Sequence, residues 1–270
     1  MVLKIGLVGC GAIGTEIARA IDRGDIKASL VGVFDRNAER AEELGRSLSE
    51  LPRVFELKDL VERSDIVVEA ASQRAVPEVA KATLERGRDL MIMSVGALLD
   101  GELRERVEDL ARCHRCRVYI PSGAISGLDG LKSASSGDIE LVTLTTIKNP
   151  QGFVGAPYIE EKEIDLDAIT EARVIFEGSA EEAVAAFPAN VNVAATLSLA
   201  AGGAKVMVRI VADPDTKVNI HQITAEGNFG RITTRVQNVP FPRNPKTSYL
   251  AALSAIATLR SIAEPIKIGT

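Results

Sequence analysis

The chain has 270 residues, of which 46% are hydrophobic and 26% charged, so it is long enough for two domains and too apolar for a disordered protein. Its formal net charge of −5, with no long basic run, does not favour binding to nucleic acid. The sequence contains no apolar run of about 18 residues, so it predicts no membrane-spanning helix. The N-terminus has no signal-peptide pattern, and its three cysteines favour reduced thiols, so we expect a cytoplasmic protein.

The first half alternates short apolar strands with helices. The predicted strands are residues 3–8, 30–34, 66–70, 90–94 and 118–121. The predicted helices between them are residues 15–22, 38–48, 77–86 and 101–111. This α/β alternation predicts a parallel sheet with both faces covered, as in a Rossmann dinucleotide-binding domain.

A glycine-rich segment, GCGAIG at residues 9–14, joins the first strand to the first helix. In this context its glycines permit a tight turn, a close approach of the backbone to a pyrophosphate, and close helix–strand packing. The pyrophosphate is then held at a helix N-terminus, where free N–H groups favour an anion. The predicted cofactor contacts in this segment are Gly9, Gly11, Ala12, Ile13 and Gly14.

Asp35 ends the second strand, 21 residues after Gly14, where its carboxylate is expected to accept hydrogen bonds from the adenosine ribose. The same carboxylate would repel a 2′-phosphate, which favours NAD, although Arg36 beside it softens that repulsion and leaves NADP possible. The small residues Ala71 and Ser72, after the third strand, leave room for the dinucleotide.

Cys113 and Cys116 have the CxxC spacing of a zinc or redox element. A structural zinc site needs four ligands, and the chain has no second CxxC pair. We therefore interpret this segment as a polar turn between a helix and a strand, and we expect no metal site.

The second half mixes strands and helices, as in an α+β domain. Strands are predicted at residues 139–147, 172–177, 205–212, 217–225 and 230–239, and residues 205–212 and 217–225 alternate like antiparallel strands on either side of an Asp-Pro-Asp turn. Helices are predicted at residues 181–187, 191–201 and 246–263, with Pro245 starting the last of them. Because that last helix is apolar around much of its circumference, we expect it to be buried.

His221 lies in a predicted strand, sharing a face with Asn219 and Ile223. An unperturbed imidazole pKa near 6.5 suits proton transfer at neutral pH. A single histidine in a strand is more often a core or surface residue, but the chain has only one other histidine, His114, in a charged segment.

Several segments together resemble the L-aspartate dehydrogenase family, and the resemblance covers nearly the whole chain. Besides the glycine loop, they are PSGAISG at 121–127, FPANVNVA at 187–194, Ile220-His221, and NPKTS at 244–248. The three longer runs are much more specific than the glycine loop, which many dehydrogenases share.

The resemblance implies NAD(P)-dependent oxidation of L-aspartate to iminoaspartate, which hydrolyses to oxaloacetate and ammonia or feeds NAD biosynthesis through quinolinate. It makes His221 the catalytic residue, places further cofactor contacts at Ala124 and Asn190, and implies a homodimer. Donors for the two substrate carboxylates are expected among Ser126, Asn192, Lys246 and Thr247.

The predicted organisation is a dinucleotide-binding domain at residues 1–121, with a helical segment at 244–270 packing back on it, and a substrate and dimerisation domain at 122–243. Two alternatives stay open. One is another Rossmann dehydrogenase or reductase, similar to dihydrodipicolinate reductase or homoserine dehydrogenase. The other is a non-catalytic dinucleotide sensor, which would need the glycine loop and Asp35 but not His221.

Overall fold

The computed structural model describes residues 2–50, 52–188, 192–241 and 244–269, the side chains of residues 244–246 excepted. The chain divides into two compact units. The first contains Met1–Pro121 and Ala252–Ile268, and the second contains Ser122–Ala251 and Gly269–Thr270. Among the described residues, no helix is both long enough and apolar enough to cross a membrane.

The first unit is built on a five-stranded sheet of order β2-β1-β3-β4-β5, in which every neighbouring pair is parallel. Its strands are β1 (Leu3–Val8), β2 (Ala28–Phe34), β3 (Ile66–Glu69), β4 (Asp89–Ile92) and β5 (Val118–Tyr119). The helices that connect successive strands of this sheet are α1 (Ala12–Asp22), α2 (Ala38–Arg46), α3 (Leu57–Arg63), α4 (Val76–Leu84) and α5 (Gly101–His114). The predicted parallel α/β architecture is confirmed.

The core of this unit forms because the central strands contain short apolar runs, at residues 5–8, 66–68 and 90–92. Ile5, Leu7 and Val68 of the sheet are fully buried against Ile17 of α1. Burying an aliphatic side chain of this size contributes about 1.5–3 kcal/mol. Buried apolar residues of the C-terminal helix join the same cluster, namely Ala255, Ile256 and Leu259.

The second unit contains a mixed five-stranded sheet of order β10-β9-β6-β8-β7. Its strands are β6 (Ile139–Lys148), β7 (Arg173–Ser179), β8 (Val206–Ala212), β9 (Asn219–Gly227) and β10 (Gly230–Asn238). Its helices are α6 (Leu128–Ala134), α7 (Pro157–Glu161), α8 (Ala180–Ala186) and α9 (Asn192–Ala200). Side chains at alternate positions of these strands form an apolar core with the helices, because successive residues of a strand point to opposite faces.

β8 and β9 were expected to be antiparallel strands joined by a turn, and the strand order shows that a third strand separates them. The two strands do run antiparallel to each other, but β6 lies between them, parallel to β8 and antiparallel to β9. The Asp213–Asp215 turn therefore connects strands that are not neighbours, and β9 forms its hairpin with β10.

The predicted start of the last helix is wrong. Asn244–Ser248 form a strand, β12, that pairs antiparallel with β11 (Pro240–Phe241), and helix α10 runs from Tyr249 to Ala263. A residue before proline is disfavoured in the α region, and β-branched Thr247 fits a strand, so the backbone stays extended until Ser248.

Candidate functional site

The glycine loop turns the chain sharply from β1 into α1. Gly9 has φ +98°, and its N–H donates to the carbonyl of Phe34 at 2.8 Å. A Cβ at Gly9 would lie 2.6 Å from the carbonyl carbon of Ala70, and a Cβ at Gly14 would collide with the carbonyl oxygen of Gly9. Both positions therefore require glycine, one for its backbone conformation and both for close packing.

Gly11 differs from the other two glycines because a Cβ there would meet nothing within 4 Å. It is the N-cap of α1 and supplies no side-chain cap, so the first N–H groups of this helix are available to an anion. The space beside Gly11 and these N–H groups together fit a pyrophosphate. Ala12 and Ile13 form the first turn of the same helix.

Asp35 fixes the glycine loop and faces the same region. One carboxylate oxygen accepts from the N–H of Cys10 at 2.7 Å, and the other accepts from the N–H of Asn37 at 2.8 Å. A carboxylate offers about four lone-pair positions, so two remain for ribose hydroxyls. Burial, followed by the charge of Asp35, raises the pKa of the Cys10 thiol to about 12, so the thiol stays protonated.

A cavity of about 250 Å³ opens beside this loop, with a lining that includes Gly9, Gly11, Asp35, Ala71 and Ser72. The hydroxyl oxygen of Ser72 is buried and has no hydrogen-bond partner in the described part of the chain. An unsatisfied buried hydroxyl beside an open glycine is the arrangement expected where a polar ligand completes the site. The cavity is also lined by Arg36, Arg40, Arg74 and Glu78.

Glu69, which sequence reasoning missed, ties together the ends of β3 and β4. Its carboxylate accepts from the N–H groups of Ala71, Ser72 and Ser94 and from the Ser94 hydroxyl, at 2.8–3.0 Å. Burial raises the pKa of Glu69, although these four donors act in the opposite direction. Glu69 thereby holds the backbone that lines the cavity.

His221 lies in β9, on the covered face of the second sheet, and is 4% exposed. Its Nδ1 is 3.0 Å from the Thr146 hydroxyl on the neighbouring strand β6. Burial, followed by the positive charge of Lys148, lowers the pKa of His221 to about 3. The imidazole is therefore neutral at neutral pH, the state required of a general base.

The covered face of this sheet changes character along its strands. At one end it carries apolar residues such as Val142, Leu144 and Ala225. At the other end it carries five buried polar residues, which we call the polar cluster: Thr146, Lys148, Asn219, His221 and Asn238. A set of buried polar side chains collected at one end of an apolar face marks a candidate substrate site.

Ala124 is connected to the polar cluster through its main chain, because its carbonyl oxygen accepts from Asn238 Nδ2 at 2.9 Å. Ala124 was predicted as a cofactor contact, whereas the predicted substrate residues lie elsewhere in the second unit. Ser126 accepts through its carbonyl from Thr234, exposed Asn192 begins α9, and half-buried Thr247 lies in β12. Asn190 and the side chain of Lys246 lie outside the described residues.

The alternation of residues along β6 could have identified Thr146 and Lys148, two members of the polar cluster that sequence reasoning missed. Thr146 and Lys148 occupy the same alternate positions as the core residues Val142 and Leu144. A lysine on the apolar face of a strand is unusual because its charge is costly to bury. Asn238 gave no comparable signal, since it ends a strand at a position where asparagine is common.

In a comparison with known proteins, each half of the chain matches a protein-family model. The family model described as aspartate dehydrogenase, C-terminal, matches residues 129–262, and the model described as homoserine dehydrogenase, NAD binding domain, matches residues 9–121. The chain is 54% identical over 270 residues to the L-aspartate dehydrogenase of Methanococcoides burtonii, covering 99% of this chain and 100% of that protein. It is also 54% identical to the L-aspartate dehydrogenase of Methanocella arvoryzae, with 99% of each chain covered.

Solved structures agree with this assignment. The aspartate dehydrogenase of Thermotoga maritima superposes with a TM-score of 0.77 and 29% identity, covering 100% of both chains. A homoserine dehydrogenase of Thiobacillus denitrificans reaches a TM-score of 0.66 at 15% identity, covering 97% of this chain and 73% of that one. At that identity the second likeness shows a shared fold and nothing about the reaction.

Proposed function

Since this chain belongs to the L-aspartate dehydrogenase family, we propose that it oxidises L-aspartate to iminoaspartate, with NAD as the hydride acceptor. The observation that carries this proposal is the full-length 54% identity to an L-aspartate dehydrogenase, because it spans the glycine loop and the polar cluster alike. An enzyme acting on a CH–NH₂ group needs a dinucleotide site and a group that handles protons, and each unit offers one of these.

The glycine loop and its cavity are the proposed dinucleotide site. The N–H groups at the start of α1 hold the pyrophosphate beside Gly11, and Asp35 holds the adenosine ribose through its two remaining lone-pair positions. Ser72 donates or accepts through its unsatisfied hydroxyl. The proposal also includes Ala124 and Asn190, the two further cofactor contacts that the family resemblance predicts.

The charges around the cavity favour acceptance of NADP as well as NAD. Asp35 and Glu78 are opposed by the guanidinium groups of Arg36, Arg40 and Arg74. Within the described chain, none of these three arginines forms an ion pair. Because arginine recognises phosphate through several N–H donors, the lining that holds a ribose diol also tolerates a 2′-phosphate.

His221 is the proposed catalytic residue. Bound NAD supplies the hydride acceptor for the Cα–H bond. The neutral imidazole takes a proton from the substrate amino group, or later from the water that attacks the imine, which typically accelerates a reaction about 10²–10⁴-fold. Thr146 orients the ring through the 3.0 Å contact to Nδ1, leaving Nε2 for the reacting proton.

The two substrate carboxylates need cationic or N–H donors. Lys148 places positive charge at the polar cluster, only 5% exposed, and is therefore a better candidate than any residue chosen from sequence. Ser126, Asn192, Thr247 and Lys246 stay proposals for the second carboxylate.

The cellular role follows from the reaction. Iminoaspartate either hydrolyses to oxaloacetate and ammonia or supplies the quinolinate branch of NAD biosynthesis, and we propose that the enzyme is cytoplasmic and homodimeric. A homoserine dehydrogenase or dihydrodipicolinate reductase activity is disfavoured because residues 129–262 match the aspartate dehydrogenase C-terminal family. A panel of amino acids, assayed by NADH absorbance, separates these activities from one another and from a sensor without turnover.

The decisive experiment replaces His221 by alanine and measures L-aspartate-dependent NADH formation and NADH binding separately. We expect turnover to fall at least about 100-fold, because general acid–base help is lost, while the affinity for NADH stays within a factor of about two. His114→Ala is the matched control, since His114 is exposed at the end of α5. Turnover of His221→Ala within about threefold of the unmodified enzyme would exclude a catalytic role.

A further inference from the structure

Asn238 is the most deeply buried member of the polar cluster, and only one of the two polar atoms of its side chain has a hydrogen-bond partner. It ends β10 with 2% of its surface exposed, and its Nδ2 donates to the carbonyl oxygen of Ala124 at 2.9 Å. Its Oδ1 is buried and accepts no hydrogen bond from any residue of the described chain. Because Nδ2 has a carbonyl partner, the amide orientation is fixed, and the oxygen is the atom without a donor.

A buried acceptor without a donor is unfavourable for folding. Nearly all buried polar atoms in native proteins are hydrogen-bonded, so an exception calls for a ligand or a functional reason. Replacing Asn238 with an apolar residue would remove this unfavourable term but would also remove the anchor on Ala124. The structure thus retains an oxygen whose natural partner is an N–H or O–H group that the described residues do not supply.

The position of this oxygen relative to His221 indicates what that partner is. In the β9–β10 ladder Asn238 is opposite Asn219 and His221 is opposite Val236, so Asn238 and His221 are diagonal neighbours on one face. Diagonal neighbours in an antiparallel pair lie about 7–8 Å apart, close enough for one small group to contact both side chains.

We propose that Asn238 Oδ1 accepts a hydrogen bond from the amino group of the substrate and so is a second substrate-recognition residue. The inference rests on the proposed L-aspartate oxidation. An ammonium group has three N–H donors, so it donates to Asn238 while His221 receives the proton it releases. Asn238 therefore selects an amine-bearing dicarboxylate and holds its nitrogen where the imidazole acts.

Succinate provides the discriminating probe, because it has the two carboxylates of L-aspartate but no amino group. Isothermal calorimetry with enzyme saturated by NADH measures the affinity for each ligand without turnover. We expect the unmodified enzyme to bind L-aspartate more tightly than succinate. In Asn238→Leu we expect the affinity for L-aspartate to fall about 10- to 100-fold, as for loss of a charge-assisted hydrogen bond, with succinate affinity nearly unchanged.

Two further variants test the assignment of the oxygen. Asn238→Asp loses the Nδ2 hydrogen bond to Ala124, as Asn238→Leu does, but keeps an acceptor at this position. A preference for L-aspartate over succinate that is retained in Asn238→Asp and lost in Asn238→Leu is therefore expected, and it assigns the effect to the oxygen. Gln237→Leu is the matched control, because Gln237 is adjacent in β10 but exposed on the opposite face, and it should change neither affinity.

Several outcomes would overturn the proposal. Equal affinities of the unmodified enzyme for L-aspartate and succinate would exclude recognition of the amino group, whether or not any variant folds. Parallel loss of both ligands in a folded Asn238→Leu would assign Asn238 a structural role alone. If NADH binds but neither dicarboxylate does, the proposed function itself fails, which is distinguishable from failure of Asn238 to recognise the nitrogen.

Discussion

His221 illustrates how the burial of one side chain affects both its proposed catalytic role and the stability of the fold. Its ring is almost wholly removed from water, and the charge of Lys148 further disfavours the imidazolium. Both effects keep the ring neutral at neutral pH, and both also make it a weaker base. The same effects mean that protonating His221 at acid pH opposes folding, because the unfolded chain binds that proton more readily.

This linkage predicts an acid-labile fold. The pKa of His221 is about 3 in the folded state and 6.5 as the ordinary value, so between these values the unfolded state holds the extra proton. The free energy of unfolding should therefore fall as the pH drops from about 6.5 towards 3, by at most about 1.4 kcal/mol per pH unit from this group. Urea unfolding at pH 7.5, 6 and 5 measures the slope.

His221→Gln should remove this component, because glutamine does not titrate. His114→Gln, on the exposed end of α5, should follow the unmodified protein. Equal acid sensitivity in His221→Gln and the unmodified protein would show that the buried imidazole does not govern the slope.

At the scale of elements, the ends of β3 and β4 are held together by one carboxylate rather than by the sheet itself. Glu69 receives four hydrogen bonds from the two loops that follow these strands. The first of these loops contains Ala71 and Ser72, which line the proposed dinucleotide cavity. The shape of the cavity therefore depends on a side chain that does not itself line it.

We predict that Glu69→Gln weakens both folding and dinucleotide binding. One amide NH₂ would replace a carboxylate oxygen and face an N–H donor, leaving it unsatisfied at a cost of about 1–3 kcal/mol. NADH fluorescence titration should show severalfold weaker binding, and urea unfolding should show lower stability. Exposed Glu105→Gln on α5 serves as the control, and unchanged NADH affinity in a folded Glu69→Gln would refute the role.

The two sheets also show which features sequence can predict. The strands of the first unit were predictable because each contains a short apolar run, and a parallel order follows from the helices between them. The order of the second sheet was not, because β6 inserts between β8 and β9 from over 50 residues earlier in the chain. Likewise Glu69 and Asn238 were missed because their importance lies in burial and hydrogen bonding, which only the tertiary structure shows.

At the scale of the whole molecule, the second sheet has another face that bears on assembly. Opposite the covered face, its strands present side chains that are mostly half-buried or exposed in the single chain, with Ile220 buried. On the three central strands these include Thr143, Thr145, Ile147, Met207, Val211 and Thr224. The same face carries Arg209 and Gln222 beside Thr145. A face that mixes β-branched, apolar and a few polar side chains is suited to packing against a second copy, since a two-fold interface uses the same patch on both subunits.

We therefore predict that two copies of the chain form a homodimer through this face. Thr145 lies on β6, the middle strand, next to Arg209 of β8. Thr145→Glu would bury a further charged side chain of each copy at the centre of a two-fold interface, where the desolvation of a charge is costly even beside an arginine. Light scattering after size exclusion should give twice the chain mass for the unmodified protein and the single chain mass for Thr145→Glu. Ser133→Glu, on exposed α6, adds the same charge away from the sheet and should stay dimeric. A dimeric, folded Thr145→Glu would move the interface to another surface, whereas a monomeric unmodified protein would refute the dimer itself.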